Sequence, residues 1–363
     1  MKVGLLVSPI HPFESCRTMV TVAEEAKVDS VWMPDHFVGL AHPALWPEMA
    51  LAALSPDTDA WYDPFACTAI MGHESNLPMG VCVTDAVRRR APDVVRSALT
   101  LHQLCRGGFT LGVGAGEAGH LVPFGYDFSA PVAELEAFLN ELVTLLNHGV
   151  MPAGFSGRTG LPLRRDNLGP PKVWVAAHGP RMLRLTGEYG DGWVPAWPMS
   201  PSSYGERRRV IAEHANRAGR PMPECALHVA VILGQSRDHV AELMERDPLG
   251  KLTALFCSAE IWAKYGMQHP AGDKCRGLVD LIQHDLDPEE LRALAPTIPF
   301  EIVEEFFFIG NAAEITDRVG GYADNGLEHV ILGNATGTVG GLAEIETNAT
   351  ELVSLVAALG ELR

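Results

Sequence analysis

Short apolar runs alternate with longer amphipathic stretches along nearly the whole chain. Residues 2–8, KVGLLVS, read as a strand, and 18–29, TMVTVAEEAKVD, as a helix. The strand SVWMPDH (30–36) precedes a helix at 64–74, and the strand 77–85 precedes a helix at 92–104. The pair recurs at 108–117 with 131–148, at 172–179 with 180–189, and at 192–197 with 203–219. Strands at 225–234 and 327–334 bring the number to eight. Strands apolar on both faces that alternate with helices predict a parallel sheet covered by helices. Eight of them over 363 residues predict an α/β fold, a single (β/α)8 TIM barrel, rather than an open doubly wound sheet. No G-x-G-x-x-G opens the first helix, which also argues against a dinucleotide-binding sheet.

The rhythm breaks once. Roughly 70 residues separate strand seven from the segment FFFIGNAAEITDRVGGYADNGLEHVIL, long for a βα connection. Their patterning (DHVAELMERD, KLTALFCSAEIWAKYG, GLVDLIQHDL, EELRALA) predicts a helical insertion at about 236–300, between strands 7 and 8, able to roof the barrel mouth. The whole of 1–363 is then one domain with this insertion included.

Charge narrows the partners. Lys and Arg number 28 against 45 Asp and Glu, a net charge of −17. An acidic surface disfavours nucleic acid and anionic lipid and leaves a small-molecule substrate as the expected partner. The opening MKVGLLVSPIHPF is too short and interrupted for a signal peptide or membrane span. The seven scattered cysteines include no C-x-x-C pair, so neither a disulfide framework nor a zinc knuckle is expected. A cytoplasmic homodimer without a metal is the expectation.

In such a barrel the site lies at the carboxyl ends of the strands. The strands here end in polar groups: Ser8 to His11, Asp35-His36, Thr84-Asp85, Glu117, His178-Gly179 and Trp197. In VWMPDHFVGLAHPALWPE (31–48) a carboxylate and an imidazole follow an apolar run at once, under a loop holding His42 and Trp46. His36 is a candidate proton carrier, since an imidazole titrates near neutrality, and Asp35 beside it is expected to favour its charged form. Each has a plainer alternative: Glu117 as a first-turn helix acid, Asp85 as a turn cap, His36 as a satisfied loop residue. Trp32, Trp174 and Trp193 read as core, whereas Trp46, Trp61 and Trp197 are candidate pocket walls. In AAHGPRML, Gly179 and Pro180 open a helix whose positive end suits a phosphate, with Arg181 as added charge. Metal-dependent barrel hydrolysis finds ligand types but no H-x-H or H-E-x-x-H spacing.

Four segments in order, VWMPDHF, MGVCVTDAVRRRAPDVVRSALTLHQLCRGGFTLGVGAGE, VWVAAHGPRMLRLTGEYGDGW and the FFFIG segment, resemble the luciferase-like flavin and deazaflavin oxidoreductases. The PDH and GVGAGE forms are similar to the branch that uses coenzyme F420, near its sugar-phosphate dehydrogenases and phthiodiolone ketoreductase-like enzymes. The resemblance implies hydride transfer between F420 and an alcohol or ketone; an FMN-dependent monooxygenase, with FMN as cofactor, is the alternative. It implies His36 and Glu117 as catalytic residues, and Asp35, Cys82, Val83, Thr84, His120, Ala177, His178 and Gly179 as cofactor-binding. Cys82-Val83 falls where the family holds a non-proline cis peptide. Trp46 and Trp197 are expected to contact substrate. Where the sugar-phosphate branch has a tryptophan after its histidine this chain has Leu40, and the insertion shows no trio of basic residues. An apolar substrate is therefore expected.

Overall fold

In the computed structural model, which describes residues 1–159, 170–195 and 199–362, the predicted strands close into a ring. They are β1 (Lys2–Leu6), β2 (Ser30–Met33), β3 (Met79–Asp85), β4 (Phe109–Gly114), β5 (Lys172–Val175), β6 (Gly192–Trp193), β7 (Glu224–Leu233), β8 (Phe308–Gly310) and β9 (His329–Asn334). β1 to β7 pair in order, β7 pairs with β9, and β9 returns to β1, all in parallel. The closed barrel thus has eight strands. The short β8, which the sequence reading passed over, adds to the last turn of β7 through Val231↔Phe308 and Leu233↔Gly310.

The two-residue period of each strand sorts its side chains between two cores. Val3, Leu5, Val31, Met33, Val81, Leu111, Val113, Val173 and Val175 face the surrounding helices and are buried. Between them, Trp32, Trp174, Val194, Ala226 and Ile331 fill the barrel interior. Trp32 and Trp174 pack with ring centroids 4.8 Å apart. As expected, both are core, and so is Trp193, which stacks on Tyr204 at 4.7 Å and donates to Ala177 O.

Below the tryptophans a polar chain closes the amino end of the barrel. Trp32 Nε1 donates to Ser30 Oγ (2.8 Å), which meets His329 Nε2 at 3.0 Å, and His329 Nδ1 lies 3.4 Å from Glu224. Lys2 binds the same carboxylate at 2.9 Å, and the Glu224 acid falls to about 2 against its burial because His329 and Lys2 hold it ionised. The Ser–His–Glu order matches that of a hydrolytic triad. Ser30 and His329 are only 5% and 4% exposed, however, so the chain seals the barrel instead of receiving substrate.

Helix boundaries moved for local reasons. The first helix runs Phe13–Glu25 and not to residue 29, because Lys27 takes a left-handed φ of 59°. Within the insertion, Arg237–Arg246, Ala259–Lys264, Pro288–Leu294 and Phe300–Phe306 are α-helical. GLVDLIQHDL is not the helix its pattern predicts: it forms two short turns, Gly277–Val279 and Gln283–Asp285. Gly277 has φ 75°, and a Cβ there would stand 2.2 Å from Phe256 O, so the backbone bends at a point where only glycine fits. The insertion has its own apolar core around Trp262, Ile302 and Val303, which also takes in Leu45 and Val339 from barrel loops. Among the described residues, no helix is long and apolar enough to cross a membrane.

Candidate active site

Asp35, Thr84, Glu117 and His178 all follow or end barrel strands at the same, carboxyl end, as the fold predicts. What each does there differs from residue to residue.

Asp35 is buried and its oxygens are taken. Thr84 Oγ1 donates to Oδ2 at 2.6 Å, and Arg89 reaches both oxygens at 3.0 and 3.3 Å. Arg88 NH2 lies 3.4 Å from the same carboxylate and donates to the Asp35 carbonyl at 2.7 Å. Arg88 also bonds Asp85 through Nε, while Asp85 accepts from the Val87 and Arg88 amides at 2.9 and 2.7 Å. Asp85 therefore caps its turn, the plainer of its two readings. The Arg88 side chain is 4% exposed and lies 4.5 Å from the Phe37 ring centroid. Arg88 thus fastens the ends of β2 and β3 together and puts a fixed positive charge beside the site. The sequence reading missed it, since nothing in VRRRAP distinguishes the arginines that turn inward.

His36, His120 and Glu117 converge. The two imidazoles stack with centroids 4.4 Å apart and planes 21° from parallel. His120 Nε2 stands 3.6 Å from Glu117 Oε2. Three atoms here, His36 Nδ1, His120 Nδ1 and Glu117 Oε2, have no hydrogen-bond partner within the protein, which leaves them open to a bound molecule. Glu117 stands at the N-cap of the short helix Ala118–Leu121 and makes no capping bond. These three side chains also place potential metal-ligand atoms within 4.8 Å of one another.

Their electrostatics follow from burial among neighbours of fixed charge. Burial, then His120, holds the His36 imidazole well below 6.5, and the opposing pull of Asp35 does not offset them. Asp35 does favour the charged form, as expected, but burial and His120 outweigh it. Burial, then Arg88, lowers His120 to about 3. Burial raises Glu117 to about 7, against the pull of Arg88. His178 is also lowered to about 3, by burial and then Arg207. Unfolded imidazoles protonate near 6.5 and these folded ones much lower, so the unfolded chain binds more protons between pH 6.5 and about 3. Glu117 runs the opposite way between about 4.5 and 7, one group against three. Stability is therefore expected to fall as pH drops below 6.5, read as a lower urea midpoint at pH 5 than at pH 7. His120→Gln should narrow that difference; an unchanged gap would remove His120 from the account.

Other predicted positions fall as follows. The Cys82-Val83 peptide is cis, where the resemblance placed it. Cys82, Val83 and Ala176 border the interior cluster at half-buried positions. A Cβ on Gly114 would meet Val83 Cγ2 at 3.0 Å and Ala176 Cβ at 3.6 Å, so small residues leave a shallow bed above the barrel interior. Gly179 caps the ten-residue helix Pro180–Tyr189 with open space around it. Ala177 is buried. Arg181 is not spare charge for an anion, because it pairs with Glu136 at 2.6 Å. Trp46 is buried and donates to Ser55 O at 2.9 Å; Trp61 is the indole that meets His36, at 5.0 Å. Trp197 lies outside the described residues. The insertion walls one side: a Cβ on Gly119 would stand 2.8 Å from Leu281 O.

The comparisons with known proteins agree with this fold. The model of the luciferase-like monooxygenase family matches residues 1–329. The chain belongs to that family. Among its members, it is 35% identical over 346 residues to the phthiodiolone/phenolphthiodiolone dimycocerosates ketoreductase of Mycobacterium bovis, covering 92% of this chain and 91% of that protein. The F420-dependent glucose-6-phosphate dehydrogenase of Beutenbergia cavernae is 26% identical over 329 residues, 85% of this chain and 84% of that one. Among solved structures, an F420-dependent secondary alcohol dehydrogenase in complex with an F420-acetone adduct superposes with TM-score 0.70, at 18% identity over 99% and 98% of the two chains. This luciferase-like chain is an enzyme of the oxidoreductase class.

Proposed function

We propose that this enzyme transfers a hydride between coenzyme F420 and an apolar ketone or secondary alcohol. The observation that carries the reading is the convergence of His36, His120 and Glu117, His120 buried and the other two half-buried, each with an unpaired atom, beside a bed of small residues. The names of the relatives support it: a ketoreductase and F420-dependent dehydrogenases. Bound F420 would supply the hydride donor or acceptor, held by Val83 and Ala176 below and by the helix end at Gly179 for its phosphate.

The chain's own residues handle the proton. A neutral His36 is the base that accepts a hydroxyl proton when an alcohol is oxidised. When a ketone is reduced the same step runs in reverse: His36 gives the oxygen its proton and draws on Glu117, which keeps one up to about pH 7. His120, stacked on His36 and 3.6 Å from Glu117, connects the two. Trp61 against His36 limits water on that side. The reduction rate is expected to fall as pH rises through about 7, because Glu117 then loses its proton. In Glu117→Gln the rate should be lower and that limb absent; a surviving limb near 7 would move the acid elsewhere.

The alternative, an FMN-dependent monooxygenase, rests on the description of the family model. Titrating the purified protein with F420 and FMN separately, by calorimetry and absorbance, decides between them. Micromolar F420 binding without FMN binding is expected, and the reverse result would overturn the reading. The catalytic unit is taken as 1–363 with the insertion included, since the insertion core shares Leu45 and Val339 with barrel loops. A cytoplasmic homodimer completes the proposal; no disulfide joins the described cysteines, and sedimentation tests the assembly.

A further inference from the structure

The rim of the site carries an apolar surface that the proton chemistry does not use. Phe37, Val122, Phe124 and Tyr126 are 39%, 46%, 49% and 36% exposed. They form one patch: Phe37 meets Phe124 at 4.7 Å and Tyr126 at 6.4 Å between ring centroids, and Val122–Phe124 is a single 3-10 turn. Phe37 follows His36 directly, and Val122 comes two residues after His120. The patch therefore begins where the candidate reacting groups end. The insertion borders the neighbouring Gly119 through Leu281, whereas this part of the rim is open.

Three occupants fit an apolar surface in principle, and the numbers favour one. Four side chains at these exposures offer roughly 300 Å² of surface, well under the about 800 Å² per partner of a stable protein interface. A net charge of −17 works against an anionic bilayer. A single alkyl chain needs only a narrow strip leading away from the reacting carbon.

Resting on the ketone reading above, we propose that Phe37, Val122, Phe124 and Tyr126 hold the aliphatic chain of the substrate and set its preferred length. Each methylene that leaves water for this strip tightens binding by about two- to four-fold, until the chain runs past Tyr126. Short ketones then fill only the space at His36, and long ones gain from the rim.

The test is binding of 2-alkanones from 2-butanone to 2-decanone, by calorimetry in the presence of oxidised F420, to the wild type and to V122S/F124S. The wild type should show the two- to four-fold gain per methylene, and the double variant a series that is nearly flat. Both replaced residues are exposed, and Tyr126→Ser provides a second probe if the double variant melts early. Equal slopes in wild type and variants would overturn the proposal. So would a dimer in the wild type that V122S/F124S converts to monomer, or flotation with phosphatidylcholine vesicles that the variant loses while its slope stays intact. Because no hydride moves in this measurement, failure of F420-dependent turnover would count against the proposed reaction and leave the chain-length result standing.

Discussion

His36→Ala is expected to slow hydride transfer by about 10²–10⁴-fold, the usual worth of a positioned proton carrier. The measurement is single-turnover mixing of reduced F420 with a ketone, following the deazaflavin band. F420 affinity should change far less, because the cofactor bed is built from Val83, Ala176 and the backbone at Gly179. His36→Asn should be nearly as slow, since an amide keeps size and hydrogen bonding but does not exchange a proton readily. Near-normal rates in Asn would make His36 a wall of the pocket and leave the proton to Glu117 and His120.

The second large effect is on stability. Arg88→Met is expected to cost about 3–5 kcal/mol, the usual result of removing one partner from a buried ion pair. Asp35 and Asp85 side chains are 2% and 5% exposed, so Asp85 would lose its matching charge, and Asp35 one of two, without gaining water. Arg89, 28% exposed and shared with the half-exposed Asp63, should matter less. Urea unfolding reads the difference. Adding Asp85→Asn to Arg88→Met should recover part of the loss, because a neutral amide no longer needs the guanidinium. Equal midpoints for wild type and Arg88→Met would show that the clamp contributes nothing net. The variant should also raise the Glu117 carboxyl further, since Arg88 is what pulls it down, shifting the pH limb of ketone reduction upwards.

The barrel was legible because buried parallel strands are apolar runs at a regular spacing, and that pattern survives in sequence without tertiary knowledge. His36 and Glu117 were legible for a related reason: polar groups at strand ends have few other uses in this fold; His120, in the short helix beyond, was marked only by the family resemblance. Elsewhere, residues of one type look alike in sequence and differ only in what surrounds them. Three consecutive arginines gave no sign that Arg88 turns inward. Trp46 and Trp61 share one loop, and only the packing shows that Trp61 faces His36 while Trp46 is spent on Ser55. In the insertion, the helical pattern of GLVDLIQHDL starts at Gly277, where the close approach of Phe256 O forces a bend that no propensity predicts. The β8 strand was hidden because three residues are too few to show a period.

That small strand has a consequence for how such enzymes diversify. Leu233 and Gly310 are paired neighbours across β7 and β8, so the excursion through 234–307 leaves and rejoins the barrel at one point. Lengthening or exchanging a segment whose ends are already stitched together adds little closure entropy. The roof can behave as an interchangeable cassette: a different one could be spliced between these two residues while β9 still closes the ring beneath it.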